Sequence, residues 1–595
     1  MLKGMDIMNK NKHIEGLDIL RAIAIIGVTL FHMFPSVFKG GYLGVVLFFV
    51  LTGFLLTYTN QDKIINKSFS LRSYYKSRIK RIYPHLLLMI LTSLGIFFLF
   101  AKGALNNPKT EIFNILLGLD NYYQIQQNLD YFTRITNSSP FSHLWFLSIE
   151  IQFYLIFPFL LLGINRLRIS KGKTQTNKIF ITLILVLSLI MPIKYVLGTN
   201  VTSLYYGTDT RIFSILAGMF LGLIYKHKSQ NTNFNKSLLC IALLIVSYFL
   251  FDGQSGIVYL CIMWFITLLS MFLIYFVANS TKTLNTTFLD WIGKHSYELY
   301  LWQYPIIYLF QYLGWNKHFI SYIFEFILLF VCVLWSNFLF KAIPLLKKKP
   351  KFKNVIIFCL ATSLAIQCVG VYACFTIKPT NTNKLQEKIK KNKKKISKTN
   401  QSNNSESVQT KEAKNIDYSS SGNSAKVSDQ GMVFLGDSVM LAASDAILNL
   451  YPDASIDADV SRHVGEEQQP YQQFVNEGKV HNTVVIALGT NGTLYDSIVE
   501  QTLSLIGDDH SIFWVNTYCP TCEWQDSNNA YLQQVAQNHS NVTIIDWYSL
   551  IKDHPEWLWD DGIHPNDEGG VQYANLIQQS INDVMNKQKE LESKD

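Results

Sequence analysis

Eleven apolar segments follow one another between residues 17 and 376 of this 595-residue chain, at 17–37, 41–59, 83–102, 144–164, 179–198, 210–225, 237–251, 256–278, 292–312, 318–341 and 354–376. A helix needs about 17 to 25 mainly apolar residues to cross a bilayer, so this array predicts a polytopic α-helical membrane domain of about eleven transmembrane helices. A large soluble protein does not supply so many long apolar runs in succession. The segments at 17–37 and 210–225 are the ones interrupted by polar residues. The remainder of the chain is polar and too long to be an appendage. At 49% hydrophobic residues overall, unevenly spread, membrane and soluble parts are both expected.

Basic residues alternate between the loops and set an expected orientation. Lys63, Lys67, Arg72, Lys76, Arg78, Lys80 and Arg81 crowd the loop at 60–82. Arg166, Arg168, Lys171, Lys173 and Lys178 come two loops later, and Lys226, Lys228 and Lys236 two loops after those. The loop before the last segment holds Lys341, Lys347, Lys348, Lys349, Lys351 and Lys353. The loops between carry few cations or none. The expectation is a multi-pass cell-membrane protein whose amino terminus is cytoplasmic and whose carboxyl-terminal part, after an odd number of spans, is extracellular. No cleavable signal peptide is needed, because the first span opens with the charged residues Glu15, Asp18 and Arg21.

The formal charge of +9 hides an asymmetry. From residue 429 onward 26 acidic residues face 6 basic ones, a net of −20, which leaves +29 on the rest. Cytoplasmic loops account for part of the excess and suit anionic membrane lipids. Another part is the tract from Lys384 to Lys398, poor in apolar residues and running into a Ser/Asn-rich stretch that ends near Ser428. This reads as a disordered extracellular basic linker over 377–428, with contact to anionic wall polymers as a minor role. Its expected position outside the cell argues against nucleic acid as a partner.

Six of the eight cysteines lie in or beside apolar segments and are expected to pack as small apolar side chains. Cys519 and Cys522 form a CPTC pair, which supplies too few ligands for a structural zinc site. A loop-closing disulfide or two free thiols both fit; no metal is expected.

Ionisable groups at membrane depth are costly and therefore functional candidates. The first segment carries Asp18, Arg21 and His32. Eleven residues make about three helical turns, so Arg21 and His32 share a face about 16 Å apart. His32 is suited to proton transfer near neutral pH, and equally to packing with its ring bonded to a backbone carbonyl. The segment HLWFLSIEIQFYLIFP adds His143 and Glu150, and TDTRIFSILAG adds Asp209 and Arg211.

These residues resemble the acyltransferase-3 family of membrane acyltransferases over 13–345. The resemblance rests on GLDILRAIAIIGVTLFH, GGYLGVVLFFVLTGFLL, RIKRIYP, WFLSIEIQFYLIFP, TDTR and YELYLWQYPI. It implies an acyl-CoA donor, usually acetyl-CoA, used from the cytoplasmic side as a substrate and not as a bound cofactor. The family's Arg-x10-His motif falls on Arg21 and His32, its acidic position on Glu150, and its basic cluster for CoA phosphates on Arg78 and Arg81. The chain departs from many members at Gln303 in LWQYP, where they have histidine, so no proton transfer is assigned there.

From 429 to 595 short apolar runs (MVFL, SIDADV, VVIAL, SIFWVN, VTIID) alternate with helix-like stretches, which predicts an α/β domain with a parallel sheet. Chemistry in such folds collects at the carboxyl ends of strands. Gly436-Asp437-Ser438 after MVFL sets a serine on a tight turn at a helix start, where its own amide can serve an oxyanion. Gly489-Thr490-Asn491-Gly492 after VVIAL offers the Asn491 amide as a second donor. Asp561 and His564, three apart, can orient a base that removes the serine proton.

This constellation resembles the SGNH/GDSL hydrolase superfamily over 429–595, with Ser438 as nucleophile, Asn491 as the block-three asparagine, and Asp561 and His564 completing the triad. The superfamily's block-two glycine, a backbone oxyanion donor, falls on Ser461 in DADVSRH; the amide survives, the glycine's close approach does not. The two halves joined in one chain are similar to the peptidoglycan O-acetyltransferases of Gram-positive bacteria. That resemblance implies acetyl transfer from cytoplasmic acetyl-CoA, through the membrane, to Ser438, and then to the wall glycan, with the C6 hydroxyl of N-acetylmuramic acid as acceptor. Two alternatives stay open: the same machinery acting on a teichoic acid or exopolysaccharide, and a membrane-anchored carbohydrate esterase whose membrane half is only a holder or a transporter.

Overall fold

The computed structural model describes residue 14 and residues 16–593, except 128–138, 227–231, 254, 283–286, 316–318, 349–352, 378–381, 408–425, 521, 523 and 560. Glu15, Lys228, Lys349 and Lys351, and residues 378–381 and 408–425 of the expected linker, lie outside the described residues. The chain divides into two compact units, one up to residue 378 and one from 379 on.

The first unit is helical. Among the described residues, eight helices are long and apolar enough to cross a membrane. One of them, Ser142–Val196, takes in two of the eleven expected spans; its backbone breaks between them at Gly172 (φ 78°, ψ 164°), a conformation open to glycine and strained for other residues. The expected spans at 17–37 and 292–312 are helices of 17 residues, Leu17–Met33 and Ser296–Tyr312. Length and composition thus mark eight membrane helices where the sequence suggested eleven, because one carries two spans and two are short.

Small residues let these helices close in. A side chain on Gly53 of Gly44–Ile65 would meet the Ile215 carbonyl at 1.9 Å, and one on Gly218 of Thr208–Ile224 would meet the Val50 carbonyl at 2.0 Å. With lipid on the outside as apolar as the side chains, such backbone approach is what holds membrane helices together.

The second unit is built on five parallel strands: β1 (Val433–Gly436), β2 (Ser455–Ala458), β3 (Thr483–Ala487), β4 (Ser511–Val515) and β5 (Val542–Ile545), in the order β2-β1-β3-β4-β5. The expected strands are all present. The side chains of β1, β3 and β4 are buried on both faces, as a parallel sheet covered by helices requires. Phe434, Val485 and Phe513 point to one core with the helices Ser438–Leu450 and Asp567–Glu592. Val433, Ile486 and Trp514 point to the other with Tyr471, Val499 and Leu532. The strand order reverses between β1 and β3, which opens a crevice at their carboxyl ends.

One expectation is overturned here. Residues 382–407 of the supposed disordered linker form a helix, Thr382–Ser407, packed on the α/β unit. Leu385, Ile389, Asn392 and Ile396 recur at helical spacing, and Leu385, Asn392 and Ile396 are buried. Burying one such aliphatic side chain contributes about 1.5–3 kcal/mol, whereas each surface ion pair contributes about 0–1 kcal/mol. Leu385 and Ile396 therefore each contribute more to holding the helix down than any one of its ion pairs does. Cys519 and Cys522 are joined in a disulfide with Cα atoms 5.3 Å apart.

Candidate active site

In the α/β unit the site begins where β1 ends. Asp437 follows the strand in an extended conformation and caps the helix Ser438–Leu450, its Oδ1 accepting the Val439 amide at 2.8 Å. The cap fixes Ser438 as the first helical residue, its own amide among the unpaired donors of a helix start. The segment carrying His564 arrives from the far end of the chain. Trp559 donates its amide to the His564 carbonyl at 2.8 Å, and Asn566 caps the helix Asp567–Glu592.

The three expected triad residues meet in one line. The Ser438 hydroxyl and His564 Nε2 are 2.7 Å apart, and His564 Nδ1 lies 2.7 Å from Asp561 Oδ2. The other oxygen of Asp561 accepts the amides of Ile563 at 2.9 Å and His564 at 3.0 Å, so the carboxylate is held on both sides. Burial alone would draw the His564 pKa down, but the charge and hydrogen bond of Asp561, with the charge of Asp437, carry it above the ordinary 6.5. Burial likewise works to raise Asp561, and is outweighed by the charge and hydrogen bond of His564 and by the two amides, which bring it below 3.8. Nδ1 thereby keeps its proton toward Asp561 and Nε2 faces the serine as base.

The expected oxyanion donors are placed differently. Ser461 has a left-handed backbone (φ 59°), the conformation glycine adopts at least cost, at the position where the SGNH resemblance calls for glycine. Asn491 gives its side-chain amide to Asp437 Oδ2 at 3.3 Å and to the Arg462 carbonyl at 3.2 Å. These long bonds tie the Asn491 turn to both the serine turn and the Ser461 segment. In this arrangement the side-chain amide is engaged with both.

Sequence reasoning missed the residues that hold these turns. Asn528, buried, donates to the carbonyls of Gly489 at 3.0 Å and Gly492 at 2.8 Å and accepts the Leu494 amide at 2.9 Å. Trp524 donates to the Gly489 carbonyl at 3.1 Å, and the disulfide packs Cys522 against the Thr490 carbonyl at 3.7 Å. Arg462 donates to the carbonyls of Gly436 at 3.2 Å and Asp457 at 2.8 Å, joining the ends of β1 and β2. None of these carries a motif: Trp524 and Asn528 sit at the start of the helix Gln525–Asn538, and Arg462 follows β2.

In the helical unit Arg21, Arg78, Arg81 and Glu150 line one cavity of about 260 Å³, together with Tyr154 and Tyr297. Glu150 accepts a hydrogen bond from Thr52 and another from the Tyr154 hydroxyl at 3.3 Å, and Arg21 pairs with Asp18 at 2.5 Å. Three guanidinium groups around one cavity suit a polyanionic ligand such as a CoA phosphate tail. His32 does not line it. The ring is fully buried, with Nδ1 3.1 Å from Gln303 Oε1, an atom that can only accept, so neutral His32 carries its proton on Nδ1 and has Nε2 as the basic nitrogen. Tyr304 stands between His32, at 4.9 Å ring to ring, and His143, at 5.1 Å. Asp209 and Arg211 part company: Asp209 pairs with Lys194 at 2.5 Å, while Arg211 donates to the Tyr205 carbonyl at 2.8 Å and lies over that ring.

The chain is similar to several known proteins. Residues 14–342 match the family described as Acyltransferase domain. Staphylococcus aureus O-acetyltransferase OatA is 28% identical over 97% of this chain and 97% of its own length. Listeria monocytogenes peptidoglycan O-acetyltransferase OatA is 29% identical, over 96% of this chain and 98% of its own. Bacillus subtilis YrhL is 28% identical over 96% and 99%. Among solved structures, the C-terminal catalytic domain of Streptococcus pneumoniae peptidoglycan O-acetyltransferase A, carrying a methylsulfonyl adduct, is 26% identical. It covers 26% of this chain and 95% of that one, with a TM-score of 0.25.

Proposed function

The chain belongs to the acyltransferase family whose domain it carries over residues 14–342, and from that premise we propose that it moves acetyl from cytoplasmic acetyl-CoA outward and esterifies peptidoglycan with it. It is an O-acyltransferase with a membrane domain and an α/β domain in one chain. The observation that carries the proposal is the hydrogen-bonded line Ser438–His564–Asp561 in a chain that also holds an arginine-lined membrane cavity. The relatives named as peptidoglycan O-acetyltransferases, matched along nearly their whole length, supply the acceptor.

On this reading Arg21, Arg78 and Arg81 bind the CoA end of the donor, and Glu150 and His32 serve the acyl transfer through the membrane half. The amino terminus is cytoplasmic and the α/β unit extracellular. In the outer unit His564 Nε2 takes the Ser438 proton while the serine oxygen attacks the acetyl carbonyl. The collapsing intermediate expels the donor, which leaves with that proton, and the acetyl remains on Ser438. A sugar hydroxyl, the C6 hydroxyl of N-acetylmuramic acid, then gives its proton to His564 and attacks the ester. Ser438 recovers the proton and the acetylated glycan departs. The amides of Ser438 and Ser461 stabilise the oxyanion, with Asn491 exchanging its long bond to Asp437 for the same purpose. Acetyl-CoA is consumed as substrate, membrane lipid surrounds the helices, and the reaction as written uses no metal and no nucleic acid.

The test is the O-acetyl content of muropeptides released from walls of cells with and without the gene. Loss of O-acetyl groups on muramic acid without the gene supports the proposal. Unchanged content would move the acceptor to another surface polymer or make the protein an esterase.

A further inference from the structure

The helix Thr382–Ser407 takes no part in the reaction as written, yet it touches three of the segments that carry site residues. Asn392, 2% exposed, donates to the carbonyls of Leu441 at 2.9 Å and Ala442 at 3.2 Å, one turn after Ser438. Lys395 pairs with Asp445 on the same nucleophile helix. Lys393 pairs at 2.7 Å with Asp459, two residues before Ser461. Lys388 pairs at 2.6 Å with Asp567, three residues after His564. Further along, the side chain of Asn400 takes both backbone groups of Ile456, donating to its carbonyl at 2.9 Å and accepting its amide at 3.3 Å. β2 is an edge strand, so this amide closes backbone that would otherwise stand open, in the strand leading to Asp459 and Ser461.

We propose that Thr382–Ser407 is a positioning helix of the acyl-transfer site, with Asn392 as its central positioning residue. The proposal rests on the reading of Ser438 as the acyl carrier. Its physical basis is the tolerance of the triad: a displacement of about 1 Å between nucleophile and base costs about 10²-fold in rate. Three of the site's parts arrive from distant stretches of sequence, after β1, after β2 and before the last helix. A single rigid rod bonded to all three fixes their spacing better than the loops between them. Charge supports the docking: eight lysines lie between 384 and 398, against a net of −20 from residue 429 on. The basic run has its anionic partner within the same unit.

The experiment uses the full chain in detergent, with a soluble activated acetyl ester as donor, reading kcat, KM and acetyl adduct on Ser438. Asn392→Asp sets a carboxylate against two carbonyls, and Lys388→Glu/Lys395→Glu reverses two of the ion pairs. Both variants are expected to lose about ten-fold or more in kcat with KM within about two-fold. Adding Asp567→Lys/Asp445→Lys to the second variant should recover most of that loss. Wild-type kcat in both variants overturns the proposal, and so does a loss that the reciprocal reversal leaves untouched. If Asn392→Asp fails to fold, the charge-reversal series decides. Wild-type turnover in Ser438→Ala would instead strike the acyl-carrier reading, and the positioning role with it.

Discussion

His564 Nε2 lies 2.7 Å from the hydroxyl of Ser438, a residue 126 positions earlier in the chain, and the opposite ring nitrogen lies 2.7 Å from Asp561. The serine is thus already paired with its base. In the full chain, Ser438→Ala and His564→Ala should each reduce turnover of a soluble acetyl ester by about 10⁴-fold or more. Asp561→Ala should lose less, since it orients a base that is still present. Acetyl adduct mapped to a residue other than Ser438 would contradict the assignment.

The raised His564 pKa sets the pH dependence. The base form is required, so ester turnover should rise with pH through an inflection above 6.5. Asp561→Asn removes the charge that raises it and should move the inflection to lower pH while lowering kcat. The stabilising contribution of raised His564 is complete below its ordinary pKa and lost as pH rises through the raised one. That of depressed Asp561 is present above its ordinary value and lost as pH falls through the depressed one. Thermal unfolding of wild type against Asp561→Asn should therefore differ most between those two pKa values; a difference constant from acid to alkali would count against the coupling.

Asn528 makes three hydrogen bonds to the Gly489–Leu494 turn from a buried position. At about 1 kcal/mol each, Asn528→Ala should cost about 2–3 kcal/mol of stability. Because the turn carries Asn491, kcat should fall as well, with little change in KM. Differential scanning calorimetry and ester kinetics together check it; unchanged kcat would reduce Asn528 to a structural role.

Orientation is tested by labelling. In a chain whose free cysteines are replaced, Asn476→Cys on the exposed face of Gln468–Asn476 should react with a membrane-impermeant reagent in intact cells. Lys76→Cys, on the exposed basic first turns of the helix Leu71–Phe100, should react only after lysis. Equal labelling of both would contradict the sidedness and the outward direction of transfer.

The legible parts of this protein were those with a strong local signature. Five strands stood out because parallel strands covered on both faces read as short apolar runs, and Ser438, Asp561 and His564 because strand ends and a three-residue spacing restrict where a triad can sit. The helix Thr382–Ser407 was missed because eight lysines between 384 and 398 drown a stripe of four residues, Leu385, Ile389, Asn392 and Ile396, whose partner surface is made by distant sequence. Asn528 and Arg462 were illegible for a related reason: a side chain that holds a turn by bonding its carbonyls has no spacing rule. The number of spans stayed open where Ser142–Val196 runs through two of them and where Asp18, Arg21 and Gln303 interrupt apolar runs.

Whether the membrane half feeds Ser438 is read in the O-acetyl content of muropeptides from a His32→Ala strain at equal expression. His32 is buried in the helical unit, bonded to Gln303, and belongs to a different unit from Ser438. In that strain wall O-acetylation should be lost while the same variant, purified, still turns over a soluble acetyl ester at the wild-type rate. Normal O-acetyl content in that strain would contradict the relay and leave the membrane half as an anchor.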